Sequence, residues 1–129
     1  MTTETADLFA SVPKDYLGLF DGGEPRYKAV HEFLGFKGKD VAEAAGVPPA
    51  SVRFDAKMPA ELVERLREWA VLINLVAGFF DGDRDKTFLW FTVPNPLLGG
   101  VNPRHMIRLG RFNKLFRLVT QALAENQKP

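Results

Sequence analysis

A chain of 129 residues is one domain's worth of sequence, or a small domain with an extension. Its 46% hydrophobic and 12% aromatic content suffices for a core, while a formal net charge of +1 leaves whole-molecule charge silent about nucleic acid or membranes. The lack of cysteine excludes disulfides, zinc–thiolate sites, iron–sulfur clusters and a cysteine nucleophile, and fits a reducing cytoplasm.

Residues 1–24 carry Pro13, Gly18, Gly22 and Gly23 and hold no sustained periodicity. They read as a partly ordered arm that Tyr16, Leu17, Leu19 and Phe20 pin to the body. From Pro25 the pattern turns helical, with Tyr27, Val30, Phe33 and Leu34 at helical spacing and Gly35 as the stop. A short helix from Lys39 to Ala45 follows and ends at Gly46. Pro49 suits the first turn of another helix, which holds Ser51, Val52 and Phe54.

Ala42, Gly46 and Val52 have the spacing of a helix-turn-helix: a small residue at the crossing, a left-handed turn and a β-branched plug. An ordinary helical hairpin is the alternative. Residues 25–57 are therefore expected to be helix-turn-helix-like. Direct reading of DNA is a separate matter, because the start of the second helix holds Pro48, Pro49 and Ala50, which offer nothing to base edges. Ser51, Arg53 and Lys57 remain as DNA-contact candidates, and DNA binding is expected to be weak.

Pro59 opens a long helix reaching about Phe80, with Leu62, Leu66, Trp69, Ile73, Val76 and Phe80 on one stripe. Beyond Trp69 the opposite face, Leu72, Leu75 and Phe79, is apolar too. Such a helix is either central or part of a subunit interface, and these three residues are the candidates for a homodimer contact. The apolar run Trp69 to Phe80 is broken by Asn74 and Gly78 and falls short of the ~20 residues that span a bilayer. No basic-then-apolar leader opens the chain, and a soluble cytoplasmic protein is expected.

Asp81-Gly82-Asp83 reads as a turn, and Asp85 to Val93 as a short helix or an extended segment. Pro94 and Pro96 forbid helix continuation, and Gly99 and Gly100 permit positive φ. Trp90, Leu97 and Leu98 are the apolar anchors of this rigid loop. Asn102 caps the next helix, with Pro103 at its first position and Gly110 at its end. The last helix runs from Arg111 to about Glu125, with Phe112, Leu115, Phe116, Val119, Ala122 and Leu123 inward. No alternating strand of useful length is visible, so the fold class is all-α: a helix-turn-helix-like part, a long central helix and a helical C-terminal part.

Between Arg104 and Arg117 there is no acid, only Arg104, Arg108, Arg111, Lys114 and Arg117. Ordinary solvated helices mix signs, so this face suits phosphates or an acidic protein surface. Catalytic signals are absent. His31 and His105 have no neighbours at metal-ligand spacing, Ser11 and Ser51 lack a nucleophile motif, and Asp81, Asp83 and Asp85 do not complete a calcium loop. Neither an enzyme, a metal site nor a cofactor is expected.

The run from Met58 onward resembles the toxin-binding antitoxins of the Xre/MbcA/ParS family. The residues that carry the likeness are Met58-Pro59, then Glu61, Leu62, Glu64 and Arg65; Trp90; Pro94-Asn95-Pro96-Leu97-Leu98-Gly99-Gly100; and Pro103 with the closing amphipathic helix. Residues 28–57 match the family's helix-turn-helix part more loosely. The resemblance implies an antitoxin of a type II toxin–antitoxin pair, whose partner is a RES-domain toxin that destroys NAD. The C-terminal part, residues 58–129, would be the toxin-binding domain, with Asn95, Pro96, Leu98, Gly99, Arg104, Arg108, Arg111, Phe112, Lys114, Arg117 and Glu125 as contacts. It also implies dimers and larger assemblies with the toxin. The alternative is a small helix-turn-helix repressor that autoregulates its operon.

Overall fold

Six α-helices lie among residues 14–126, the part that the computed structural model describes, and five of them pack about one long central helix. They are α1 (Tyr27–Leu34), α2 (Gly38–Ala45), α3 (Ala60–Phe79), α4 (Arg84–Thr92), α5 (Pro103–Arg108) and α6 (Phe112–Asn126). One element departs from the all-helical expectation. Phe20–Asp21 (β1) pairs antiparallel with Glu24–Pro25 (β2), Phe20 opposite Pro25 and Asp21 opposite Glu24. Gly22 and Gly23 both take positive φ (58° and 93°), as a tight hairpin turn needs. Strands of two residues are too short to produce an alternation that a sequence pattern reveals.

Residues 14–19 lie against the body, and the expected arm's residues 1–13 fall outside the described part. The Asp15 carboxylate accepts from the N–H groups of Leu19 and Phe20 at 2.9 and 3.1 Å. Asn74, 1% exposed in mid-helix, holds the segment from the other side. Its Oδ1 accepts from Tyr16 N and its Nδ2 donates to the Lys14 carbonyl, both at 2.9 Å. Both ends of the buried amide are thus satisfied, as a buried polar group requires.

α3 buries ten of its twenty residues. Leu62, Leu66, Trp69 and Ile73 form the stripe expected from the sequence, and α1, α2, α4 and α6 pack around them. The second apolar face has an intramolecular cause: Leu72 is 0% exposed inside this chain's own core. Leu72 therefore cannot serve as a dimer contact without unfolding, whereas Leu75 is half-buried and Phe79 exposed.

α2 ends at Gly46, whose φ of 71° lets Val47 N reach the Ala42 carbonyl at 3.0 Å and sends Val47 into the core. The helix expected after that turn does not form. Pro49–Ser51 make a single 3₁₀ turn, and Val52 is already extended. Pro48, Pro49 and a lone Ala cannot propagate a helix, and Phe54 instead turns back to stack on His31 (4.5 Å, 6°). The ambiguous segment after Asp83 is helical: Asp83 caps α4 by accepting from Lys86 N at 3.0 Å.

Candidate functional site

The Pro-Asn-Pro segment folds into a loop closed on itself. Asn95 Oδ1 accepts from Leu97 N at 2.9 Å, Pro96–Leu98 make one 3₁₀ turn, and Gly99 takes φ 69°. Asn95 and Val101 bridge the loop's neck, with Asn95 N to Val101 O at 3.2 Å and Gly100 N to Asn95 O at 3.0 Å. Two neighbouring leucines in a single turn cannot both face inward. Leu98 is buried in the core; Leu97 is 73% exposed. The outward anchor is therefore Leu97, and Leu98 supports the loop from beneath. Leu89 and Val93 are also exposed, so the apolar surface continues from α4 into the loop.

Asn102 Oδ1 caps α5 by accepting from His105 N at 2.7 Å. Gly110, at φ 76°, separates α5 from α6, so the five basic residues do not share one helix face. Arg104 and Arg108 turn back to the body. Arg104 Nη1 donates to the Leu34 carbonyl at 3.2 Å, and Arg108 Nη2 donates to His105 Nδ1 at 2.8 Å. Arg111, Lys114 and Arg117 are exposed, and among the described residues none of them has an ion-pair partner.

Phe112 belongs to the core and stacks on Phe116 (5.6 Å, 24°). It holds α6 in place, and its ring offers only a small edge to the groove beside it. Glu125 is exposed near the end of α6. Of the residues singled out in the sequence, the structure leaves Pro96, Gly99, Arg111, Lys114, Arg117 and Glu125 at the surface. Asn95 is half-exposed, with its side chain engaged in its own turn.

A groove of about 700 Å³ runs between the end of α2, the first half of α3 and α6, with Arg117 on one wall and Glu43, Glu64 and Glu68 among the others. Burial pushes the Glu68 carboxyl above its ordinary range, Arg65 opposes that, and Glu64 adds to it. Arg65 Nε lies 2.9 Å from Glu68 Oε1 yet is poorly aligned for a hydrogen bond, so the contact is an ion pair more than a directed bond. On the far side Phe79, Phe80, Trp90, Ala122 and Leu123 border an apolar hollow of about 100 Å³.

The DNA-contact candidates gain no helix to stand on. Ser51 is half-buried in the 3₁₀ turn, and Arg53 grips Asp55 through Nε (2.8 Å) and Nη2 (2.6 Å). That guanidinium holds the Asp55 carboxyl below its usual range. Lys57 is exposed beyond them. Among the described residues no three His, Asp or Glu side chains gather as a metal site, and no helix is long and apolar enough to cross a membrane.

No family model matches the chain, and no curated protein sequence matches it. A solved structure to which it is similar is the M. tuberculosis MbcT-MbcA toxin-antitoxin complex. The likeness is to one chain of that complex, at 23% identity and a TM-score of 0.49, over 80% of this chain and 94% of that one. A likeness of that size carries no functional weight here.

Proposed function

We propose that this chain is the antitoxin of a type II toxin–antitoxin pair and neutralises an NAD-degrading RES-domain toxin by occlusion. The observation that carries the reading is the pairing of two unpartnered surfaces: the Arg111, Lys114 and Arg117 strip on α6, and the closed loop presenting Leu97. None of these three cations forms an ion pair within the chain, although Arg117 shares its groove with Glu43, Glu64 and Glu68, and such cations suit an acidic surface elsewhere. A rigid loop that exposes a leucine pays little ordering entropy on docking. Both surfaces fall within the stretch whose sequence resembles the antitoxin family.

In this reading α6 lies over the mouth of the toxin's NAD cleft. The cleft must bind two phosphates, so its floor presents positive charge or N–H donors. Glu125 is the carboxylate that could meet them, and the α6 cations grip acids at the rim. Leu97, with Pro96 and Gly99 beside it, supplies the desolvated anchor. The chain acts by binding alone, as an inhibitor and not as an enzyme. Homodimers form through Phe79 and the apolar hollow beside it, and the toxin joins these in a larger assembly.

DNA repression is the weaker reading, because a single 3₁₀ turn gives no helix to lay in a major groove. Co-expression with a RES-domain toxin encoded beside it tests the main reading, and the lack of such a neighbouring gene counts against it. Restored growth and co-purification at a fixed ratio are expected. A toxin that kills regardless, in cells where the chain is soluble and abundant, would overturn it.

A further inference from the structure

A second basic cluster lies apart from the α6 strip, in a pocket of about 180 Å³ lined by Gly35, Phe36, Asp40, Asn102, Arg104, His105 and Arg108. We propose that this pocket binds a tetrahedral oxyanion: inorganic phosphate or the terminal group of a phosphomonoester.

The first argument is charge. Arg104 and Arg108 stand one helical turn apart on α5, a like-charge spacing that is unfavourable when nothing intervenes. The pocket wall sets one carboxylate, Asp40, against these two guanidinium groups. That carboxylate already accepts from Lys37 N at 2.9 Å at the start of α2. Glu43, outside the wall, approaches Arg108 Nε only to 4.0 Å and is itself 62% exposed.

The second argument is unused donors. A guanidinium carries several N–H groups in a fork that matches phosphate. Arg104 commits one to the Leu34 carbonyl and Arg108 commits one to His105. Arg108 Nε is sealed from solvent and lies 4.0 Å from the Glu43 carboxylate, so the donors left for an ion are the remaining Nη groups of the two arginines. Since an arginine can only donate, His105 Nδ1 accepts the Arg108 proton. With Nδ1 taken by Arg108, the ring nitrogen left to His105 for any further contact is Nε2.

The site is shallow enough for a free ion or for the end of a larger molecule, and its donors point to oxyanion chemistry in both cases. It is independent of the antitoxin reading, since neither Arg104 nor Arg108 belongs to the α6 strip.

The test is a titration of the full ¹⁵N-labelled chain with sodium phosphate, with sodium chloride of matched ionic strength as control. Saturable shifts at Gly35, Phe36, His105 and Arg108 are expected, together with a phosphate-specific rise in Tm. Arg108→Gln should weaken binding by about tenfold or more, while a Lys114→Ala, Arg117→Ala double variant should bind as the native chain does. AMP binding at least as tightly as phosphate identifies the phosphomonoester as the ligand; phosphate alone identifies the free ion. Shifts that never saturate, match those of chloride or centre on Arg111, Lys114 and Arg117 would overturn the site. That map needs no variant, so it decides even if Arg108→Gln fails to fold.

Discussion

Asn74 shows how one side chain decides the course of a segment. It ties residues 14–16 to the central helix through both ends of its amide. Asn74→Ala leaves a buried N–H and a carbonyl without partners and should cost about 1–3 kcal/mol, read as a lowered urea midpoint. Asn74→Asp should be worse, because the Lys14 carbonyl would then face an acceptor. Glu68 makes the opposite case. Its folded-state pKa is raised above the ordinary 4.5 by burial, so the folded chain binds its proton more tightly than the unfolded chain does. The stability this brings is fully present below the unfolded value and is lost as pH rises through the folded one. Glu68→Gln should therefore gain in Tm relative to the native protein between pH 4.5 and neutrality. A difference in Tm that is flat across that range would show that the Arg65 ion pair cancels the burial, and one that falls with pH would show that it outweighs it.

At the scale of elements, the sequence was informative wherever a pattern repeated. The stripe Leu62, Leu66, Trp69, Ile73 along α3, the stop at Gly46 and the cap Asn102 all appear in the structure. What failed to show were choices made by tertiary contact. Leu97 and Leu98 are chemically alike, and only the closure of the Asn95–Val101 neck turns one out and one in. The second apolar face of α3 suggested a partner, but Leu72 is covered by this chain itself. The helix expected after Pro49 ends after one turn, because Phe54 finds His31 instead. The same contacts bear on deletions. α6 supplies Phe112, Leu115 and Val119 to the core. A chain truncated after Gly110 should lose cooperative unfolding by circular dichroism, not merely its docking surface, since each deleted leucine-sized side chain costs about 2–5 kcal/mol. A truncated chain that melts cooperatively near the native Tm would contradict that.

At the scale of the whole molecule, the surfaces divide by chemistry. The hollow around Phe79, Phe80, Trp90 and Leu123 is apolar and sits far along α3 from Pro59. If it is the homodimer contact, Phe79→Asp should halve the mass seen by light scattering at tens of micromolar and leave the helical spectrum intact. An unchanged mass would move the contact elsewhere. On the proposed reading the α6 strip and the Leu97 loop are the surfaces left for the toxin. Rim charges of this kind contribute about 0.2–1 kcal/mol each and act mainly on association rate. A single Arg→Ala change is therefore a weak test, and reversal of the whole strip is a strong one. The decisive measurement is the toxin's NAD consumption at a fixed excess of antitoxin, comparing the native chain with Arg111→Glu, Lys114→Glu, Arg117→Glu. The account predicts that the triple variant folds with a native helical spectrum and leaves NAD consumption largely unblocked at physiological salt. A folded triple variant that blocks NAD consumption as fully as the native chain would contradict it.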